Sequence, residues 1–135
     1  MSTSYGVVVE QPIVTSYGVV VEKALDIVSY PSEVKGAPNE QKTINVTVKN
    51  NSTSPITCEL RIKDHNNNII YSEQVVIDAN SQYTFTPTIT LPSTTGQYTW
   101  TIEAYNVENA TVDDSKTFNV IVKISTRLTL SVTPL

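Results

Sequence analysis

The chain has 135 residues, the size of one ordinary domain, and this length is enough to bury an independent hydrophobic core. Its 9 basic and 13 acidic residues give a net charge of −4, which argues against a nucleic-acid partner because phosphates require a basic face. One cysteine excludes an internal disulfide framework, and one histidine excludes a metal site built from several histidines. Valine, isoleucine and threonine account for 49 residues, a composition typical of β-strands.

An exact repeat occupies the N-terminal arm, residues 1–23. The sequence TSYGVVVE at residues 3–10 recurs at residues 15–22. Three consecutive valines make a strand apolar on both faces, so we expect it to be covered on both faces, inside a sandwich or between subunits. Pro12 prevents the two repeats from forming one uninterrupted central strand. The side chains expected to make these assembly contacts are Tyr5, Val7, Val8, Val9, Tyr17, Val19, Val20 and Val21.

The arm does not read as a secretion signal. No lysine or arginine precedes its apolar part, and Glu10, Gln11 and Pro12 interrupt it. No run of the chain reaches the roughly 18 apolar residues that span a bilayer, so we expect no membrane insertion. Either a signal was removed or none exists, and the second case would give a cytosolic protein or one that leaves the cell inside a particle.

From Ala24 onward, apolar and polar residues alternate and turn signals fall about every ten residues, which is typical of an all-β sandwich or barrel. A change of alternation between Tyr71 and Val75 predicts a bulge or a crossing between sheets, and Pro87 marks an edge strand. The segment 31–41 is predicted to be a loop. The seven predicted strands cover residues 24–30, 42–50, 56–63, 69–77, 82–91, 97–105 and 116–124.

One core is predicted between two sheets. Tyr83, Tyr98 and Ile124 share the inward alternation of their strands, whereas Tyr105 points outward. The predicted core residues are Ile44, Val46, Val48, Cys58, Leu60, Ile62, Phe85, Ile89, Trp100, Ile102, Phe118, Val120 and Val122.

The C-terminal extension, residues 125–135, continues the alternation of the last strand. Leu128, Leu130 and Val132 have the same even numbering as the inward residues of that strand. The strand is therefore predicted to run past its own sandwich as an open edge, and open edges recruit partners.

Three motifs resemble a known family. They are LDIVSYP at residues 25–31, TINVTVKNN at residues 43–51 and LPSTTGQYTWTI at residues 91–102. Together they resemble the cell-adhesion-related domain and similar immunoglobulin-like modules of bacterial and archaeal surface proteins, over about residues 24–124. The resemblance implies an immunoglobulin-like β-sandwich that builds or decorates a surface, and it carries over no catalytic residue.

Two clusters of oxygen-bearing side chains were weighed as cation sites. Asp64, Asn66 and Asn68 have the alternation of a calcium loop, but Ile69 replaces its glycine and Val75 replaces its bidentate glutamate, so a hairpin turn is favoured. Asp113 and Asp114, with Glu108 nearby, are interpreted as solvated carboxylates in a polar loop. No metal and no cofactor are therefore predicted.

The remaining candidate catalytic and binding residues favour a protein that is not an enzyme. Cys58 is interpreted as a buried inert thiol rather than a nucleophile activated by His65, with an intermolecular disulfide as the alternative. Trp100 is assigned to the core rather than to a sugar-binding platform. The acidic residues lie at outward strand positions or in loops, so no enzyme is predicted. Glycans are possible at the sequons of Asn45, Asn50, Asn51 and Asn109, in loops or on an outward face.

The sequence thus predicts a structural subunit whose terminal strands pair with copies of itself or with other structural subunits, in a virion or on an extracellular surface. A homo-oligomer is expected, and the composition is compatible with an archaeal source. Two alternatives stay open: an adhesion or ligand-binding module that acts through its loops, and a non-catalytic domain of a larger secreted enzyme.

Overall fold

The computed structural model describes residues 23–124, and the described residues contain ten β-strands and no helix. A chain of this composition forms strands because β-branched and aromatic side chains fit a pleated, half-buried surface. The strands are β1 (Leu25–Ser29), β2 (Glu33–Gly36), β3 (Gln41–Thr43), β4 (Val46–Asn50), β5 (Ile56–Lys63), β6 (Ile69–Ile77), β7 (Gln82–Phe85), β8 (Thr88–Thr90), β9 (Gly96–Asn106) and β10 (Thr111–Val122).

The strands form two layers. One layer is a five-stranded sheet in the order β2-β10-β9-β5-β6, and the other contains the sheet β1-β4-β7 and the pair β3-β8. All pairings are antiparallel except that of β2 with β10. The architecture is an all-β, immunoglobulin-like sandwich, as the sequence predicts.

Pro87 divides two predicted strands. Thr43 pairs with Thr88 and Val46 pairs with Phe85, so one antiparallel register runs through both ladders. Pro87 has no N–H group to donate, and only the N–H of Ile44 bonds across the gap, to the Pro87 carbonyl at 3.0 Å. The predicted strands 42–50 and 82–91 are consequently each two short strands.

The prediction that residues 31–41 form a loop is wrong for β2. Val34 is buried, and Glu33–Gly36 pairs in parallel with Asn119–Val122. Pro31 separates β1 in one layer from β2 in the other. Gly36 is required where the chain leaves β2, because a Cβ there would lie 2.6 Å from both Glu40 Oε1 and Leu91 Cδ1.

The bulge predicted between Tyr71 and Val75 lies earlier. Ile62 pairs with Tyr71 and Lys63 pairs with Ile69, so Ile70 is the extra residue. From Tyr71 to Ile77 the alternation of β6 is uninterrupted.

Strand β10 begins five residues before its predicted start at 116 and ends at Val122 rather than 124. Asp113 and Asp114 therefore lie in a strand, and the prediction that they occupy a loop is wrong. Asp113 is a bulge, because Ala104 pairs with Asp114 and Tyr105 pairs with Val112. Ile124, predicted to point inward, is exposed.

All thirteen predicted core residues are buried, which confirms one core between the two layers. Tyr98 is only partly buried and packs against the core, and Tyr83, predicted to point inward, is 40% exposed. The core also contains residues outside the list of thirteen: Ile56, Leu91 and Ala104, which follow the predicted inward alternation of their strands, and Leu25, Ile27, Val34 and Ile77. Among residues 23–124, no helix is long and apolar enough to cross a membrane.

Candidate functional site

The point where the N-terminal arm joins the sandwich is fixed by Asp114. Lys23 Nζ lies 2.8 Å from Asp114 Oδ1, and the Ile27 N–H donates to Asp114 Oδ2 at 2.8 Å. Asp114 belongs to the five-stranded sheet, and Ile27 belongs to the other layer. The carboxylate thus joins the two layers at the base of the arm.

Asp114 is the most buried carboxylate of this cluster, with only 3% of the residue exposed. Burial opposes its ionisation, but the hydrogen bonds from Lys23 and from the Ile27 N–H outweigh burial and lower its pKa. Burial and the neighbouring Asp114 together raise the pKa of Asp26, on β1. One carboxylate of the pair is therefore held ionised and the other is pushed towards its neutral form.

Asp113 makes a second connection between the layers. Its Oδ2 accepts from the Leu25 N–H at 3.2 Å and from Asn106 Nδ2 at 3.1 Å, and its Oδ1 accepts from Thr111 Oγ1 at 2.8 Å. The bulge in β10 explains how two adjacent aspartates both turn towards β1, since successive residues of a regular strand point to opposite faces.

The chain enters and leaves the sandwich at opposite ends. Lys23 is held beside Asp114, and Val122 lies eight residues further along β10, roughly 26 Å away at the rise of a strand. At the far end, the Lys123 N–H donates to the Gly36 carbonyl at 3.0 Å. Whatever the two terminal segments contact, they start from opposite ends of the molecule.

The five-stranded sheet has a long open edge at β6. Strand β6 has nine residues, and among residues 23–124 its one pairing partner is β5. Its sequence, IIYSEQVVI, contains no lysine, arginine or proline, the residues that natural proteins place on edges to block pairing. Val76 is 61% exposed and Ile70 is 40% exposed. Long, exposed and apolar edges are the kind at which a further strand can pair.

The inner side of this edge is also apolar. Tyr71 and Val75 are partly buried and pack against the core, and Tyr83 of β7 stands beside Phe85 with ring centroids 4.9 Å apart. Burial, the Glu73 hydrogen bond and nearby Tyr83 raise the pKa of Tyr71 to about 12, so its hydroxyl stays protonated and donates to Glu73. The edge thus offers apolar contacts on both faces of any strand added to it.

The predicted assembly residues of the arm and of the C-terminal extension lie outside the described residues. They are Tyr5, Val7, Val8, Val9, Tyr17, Val19, Val20, Val21, Leu128, Leu130 and Val132. The structure shows the places from which these segments depart, Lys23 and Ile124, and an edge that could receive a strand.

The first oxygen cluster is a turn. Asp64 Oδ1 accepts from the N–H groups of Asn66 and Asn68, each at 2.9 Å, and Asn67 has a φ of 67°. These backbone bonds lower the pKa of Asp64 against the opposing effect of burial. The favoured interpretation as a hairpin turn is confirmed. Within residues 23–124, no group of three His, Cys, Asp or Glu side chains is gathered as a metal site.

Cys58 and Trp100 both belong to the core. Burial raises the pKa of the Cys58 thiol to about 12, so it is not a nucleophile at neutral pH. Trp100 is 2% exposed and packs edge-on against Phe118, with ring centroids 6.2 Å apart. Its Nε1 donates to His65 Nδ1 at 3.3 Å. Trp100 therefore presents no flat face for a sugar.

The outer face of the five-stranded sheet carries paired charges. Arg61 Nε lies 3.0 Å from Glu59 Oε2, and the Arg61 guanidinium stacks 3.8 Å from the centre of the Tyr105 ring. Lys63 Nζ lies 3.2 Å from Glu103 Oε2. Each of these carboxylates is paired with a cation on the face of the sheet, as is common on protein surfaces.

The four sequons differ in accessibility. Asn45 and Asn109 are exposed, and Asn51 is partly exposed. Asn50 is fully buried, and its Nδ2 donates to the carbonyls of Ser54 at 2.8 Å and Ile77 at 2.9 Å. The expected outward position of Asn50 is thus wrong, since its amide is needed inside; modification of the other three stays a prediction.

An open groove of about 500 Å³ lies where the chain passes between layers. Its lining includes Tyr30, Lys35, Lys42 and Asn45. Strands β2 and β3 flank it without pairing to each other. The groove is the candidate ligand surface.

Asp114 is the functional residue that sequence reasoning missed. Its even number matches the inward residues Phe118, Val120 and Val122 of the same strand. Extending that alternation four residues back would have placed Asp114 on the inner face. Two adjacent aspartates are typical of a loop, so the alternation of β10 is not extended back to Asp114 from the sequence alone.

The fold has close counterparts among solved structures. The CARDB domain of a Pyrococcus furiosus protein, in a crystal structure with di-metal ions, superposes with a TM-score of 0.57 at 20% identity, covering 76% of this chain and 97% of that one. Its solution structure gives a TM-score of 0.57 at 21% identity, with 73% and 94% covered. This chain has the immunoglobulin-like fold of the CARDB domain.

A more distant counterpart is part of a larger protein. Pseudomonas fluorescens alkylpurine DNA glycosylase AlkC, bound to DNA with an abasic site analog, matches with a TM-score of 0.53 at 9% identity. The match covers 73% of this chain but only 31% of the glycosylase. No family model and no curated protein matches this sequence.

Proposed function

We propose that this chain is a non-catalytic structural subunit, part of a virion or of an assembly on a cell surface, which joins to neighbouring copies through its terminal segments. The observation that carries the proposal is the placement of Lys23 and Val122 at opposite ends of β10. Each end leads into a segment whose sequence is that of an apolar strand.

Termini at opposite ends favour a head-to-tail arrangement. When the segment leaving one end of a subunit pairs with a surface elsewhere on the next subunit, the contact is heterologous, and repeating it produces a ring or a filament. A symmetric dimer would instead use the same surface twice. We therefore expect open or cyclic polymers rather than a closed dimer.

The arm is suited to pairing between subunits for an energetic reason. Burying its ten or so apolar side chains gains roughly as much free energy as ordering its twenty residues costs. Strand hydrogen bonds to an existing sheet edge then decide whether the arm is ordered, as in other cases of strand addition.

The test uses the full chain. Size-exclusion chromatography with light scattering, together with negative-stain electron microscopy, should show oligomers that grow with concentration from about 1 μM to 1 mM, in the form of filaments or rings. A monodisperse monomer across this range would overturn the proposal. Antibody labelling of intact cells and of released particles would then assign the assembly to one location.

The second candidate is a binding module that recognises a surface ligand. The groove beside Tyr30 and Lys42 favours it, because it is concave and combines an aromatic ring, cations and amides. A full chain carrying Tyr30→Ala and Lys42→Ala would lose attachment to the ligand-bearing surface if this candidate is right. If such a chain attaches as before, the candidate is wrong.

The di-metal complex of the Pyrococcus domain is not transferred to this chain. Among residues 23–124, carboxylates such as Asp113 and Asp114 are already occupied by backbone N–H groups, Lys23 and Asn106. The proposed function needs no cation.

A further inference from the structure

We infer that the open edge of β6 is the acceptor for one TSYGVVVE repeat from the arm of a second copy of this chain. The inference rests on the proposed function and names the surface that the arm binds. Three features support it: the length of β6, the side chains on its two faces, and the position of Lys23 at the base of the arm.

Length singles out β6 among the edges that the structure describes. The other strands at the borders of sheets, β1, β2, β3, β7 and β8, have three to five residues, whereas β6 has nine. Nine residues extend roughly 30 Å, and an eight-residue repeat extends roughly 26 Å. One repeat therefore matches the full length of β6, whereas the other border strands of the described sheets have at most five residues.

The edge and the repeat each have one more apolar face and one face that mixes apolar and polar residues. Towards the core, an added strand meets Tyr71, Val75 and Tyr83, with Glu73 between the first two. On the outside it meets Ile70 and Val76, with polar residues between them. In the first repeat, one face carries Tyr5, Val7 and Val9. The other face carries Gly6, Val8 and Glu10. Its wholly apolar face suits the inner side, and its mixed face suits the outer side.

The one charge on the edge and the charge of the repeat lie on opposite faces of the sheet. Glu73 is the one ionisable carboxylate of β6, and it already accepts the Tyr71 hydroxyl. On the outer face the glutamate that ends the repeat can remain in water. On the outer side, the added strand would cover part of the apolar surface that Val76 and Ile70 expose to solvent in the monomer.

The base of the arm points to a second copy. Lys23 is held at β10, and three strand spacings, roughly 14 Å, separate β10 from β6 in the sheet. Glu22 is two residues from Ala24, a reach of at most about 7 Å. This link is too short to bring the second repeat, which ends at Glu22, onto β6 of the same chain.

The first experiment places charges on the edge of the full chain. Ile70→Lys with Val76→Lys changes side chains that are 40% and 61% exposed and lie outside the core, so most of the melting temperature should be retained. Self-association measured by sedimentation velocity should weaken at least tenfold. The matched control is Val107→Lys with Val112→Lys, two exposed valines of the β9–β10 hairpin, and this variant should associate as the unmodified chain does.

The second experiment does not depend on the stability of the lysine variant. Full chains carrying Val20→Cys are mixed with full chains carrying Ser72→Cys, Gln74→Cys or Val76→Cys and are oxidised mildly. A disulfide between the two chains should form at one of the three β6 positions, since it requires Cα atoms roughly 4.4–6.8 Å apart. A chain with Asn119→Cys, exposed on β10, should give none.

The outcomes separate this inference from the proposed function. If Val8→Asp with Val20→Asp abolishes association while the β6 lysines and cysteines have no effect, the arm assembles the chain but β6 is not its acceptor. If neither set of variants changes association, the proposed function fails as well. Crosslinking within one chain, seen as a faster-migrating monomer when Val8→Cys and Val76→Cys share a chain, would show that the arm folds back and would overturn the inference.

Discussion

Lys23 and Asp114 form an ion pair of 2.8 Å that ties the first described residue to a carboxylate buried in the opposite layer. The two residues are 91 positions apart in sequence, so the contact links the beginning of the described chain to its last strand. Since Lys23 is the last residue of the arm, the contact also sets the place from which the arm leaves the sandwich.

Replacing Asp114 should destabilise the sandwich and change its response to acid. Asp114→Asn keeps the shape of the side chain but turns an amide N–H group towards the donors of Lys23 and Ile27. This should lower the free energy of unfolding at pH 7 by about 1.5–3 kcal/mol. Because the pKa of Asp114 is lowered on folding, its contribution is present above about pH 4 and is lost as the pH falls through the lowered value.

Denaturant unfolding from pH 7 to pH 2 measures this effect. The Asp114→Asn chain should lose less stability than the unmodified chain over the acid range. Asp78→Asn, a change in an exposed turn, is the control and should follow the unmodified chain. Equal acid sensitivity of all three chains would show that Asp114 does not carry this dependence.

Asp26 should behave in the opposite way. Burial and the adjacent Asp114 raise its pKa, so folding opposes its ionisation, and this cost is present above the raised pKa and absent below about pH 4. Asp26→Asn should therefore stabilise the chain at pH 7 and have little effect at pH 3. Thermal unfolding at both values checks the prediction, and a lower melting temperature at pH 7 would contradict it.

Trp100 should be among the most costly residues to truncate. It is 2% exposed, so Trp100→Ala should lower the free energy of unfolding by about 3–5 kcal/mol. Tyr83→Ala, at a half-exposed ring, is the matched control and should cost much less. A loss below about 1 kcal/mol for Trp100→Ala would mean that the indole is exposed and available to a ligand.

Alternation of apolar and polar residues was sufficient to predict the core. Ile56–Lys63 and Ile69–Ile77 are found with the predicted bounds, because each strand lies in an antiparallel ladder with one face towards the core. The missed strand β2 has only four residues, and a single buried residue, Val34, gives no period to detect. Pro87 was correctly assigned to an edge, but its effect on the facing strand depends on pairing between distant residues.

The base of the arm was harder to predict than the core. Asp113 and Asp114 look like loop residues because carboxylates are rarely buried without partners. Their partners are the backbone N–H groups of Leu25 and Ile27 and the amine of Lys23, nearly 90 residues away. Such partners become visible only when the register of both sheets is known.

The C-terminal extension should become ordered only in the assembly. In the dilute monomer, amide hydrogen exchange at Leu128, Leu130 and Val132 should be fast, because an overhanging strand has no hydrogen-bonding partner. Protection should appear when the chain is concentrated into oligomers. Full protection in the dilute monomer would mean that the segment pairs within its own sandwich.

The most direct test of the account is sedimentation velocity on the full chain carrying Val8→Asp and Val20→Asp, compared with the unmodified chain. Val8 and Val20 are the central valines of the two repeats, so each aspartate places a charge in the middle of a segment that is proposed to pair with a neighbouring subunit. We predict that association is lost while the melting temperature of the monomer is unchanged. If the substituted monomer unfolds instead, or if it associates as before, the repeats do not act between subunits and the account is wrong.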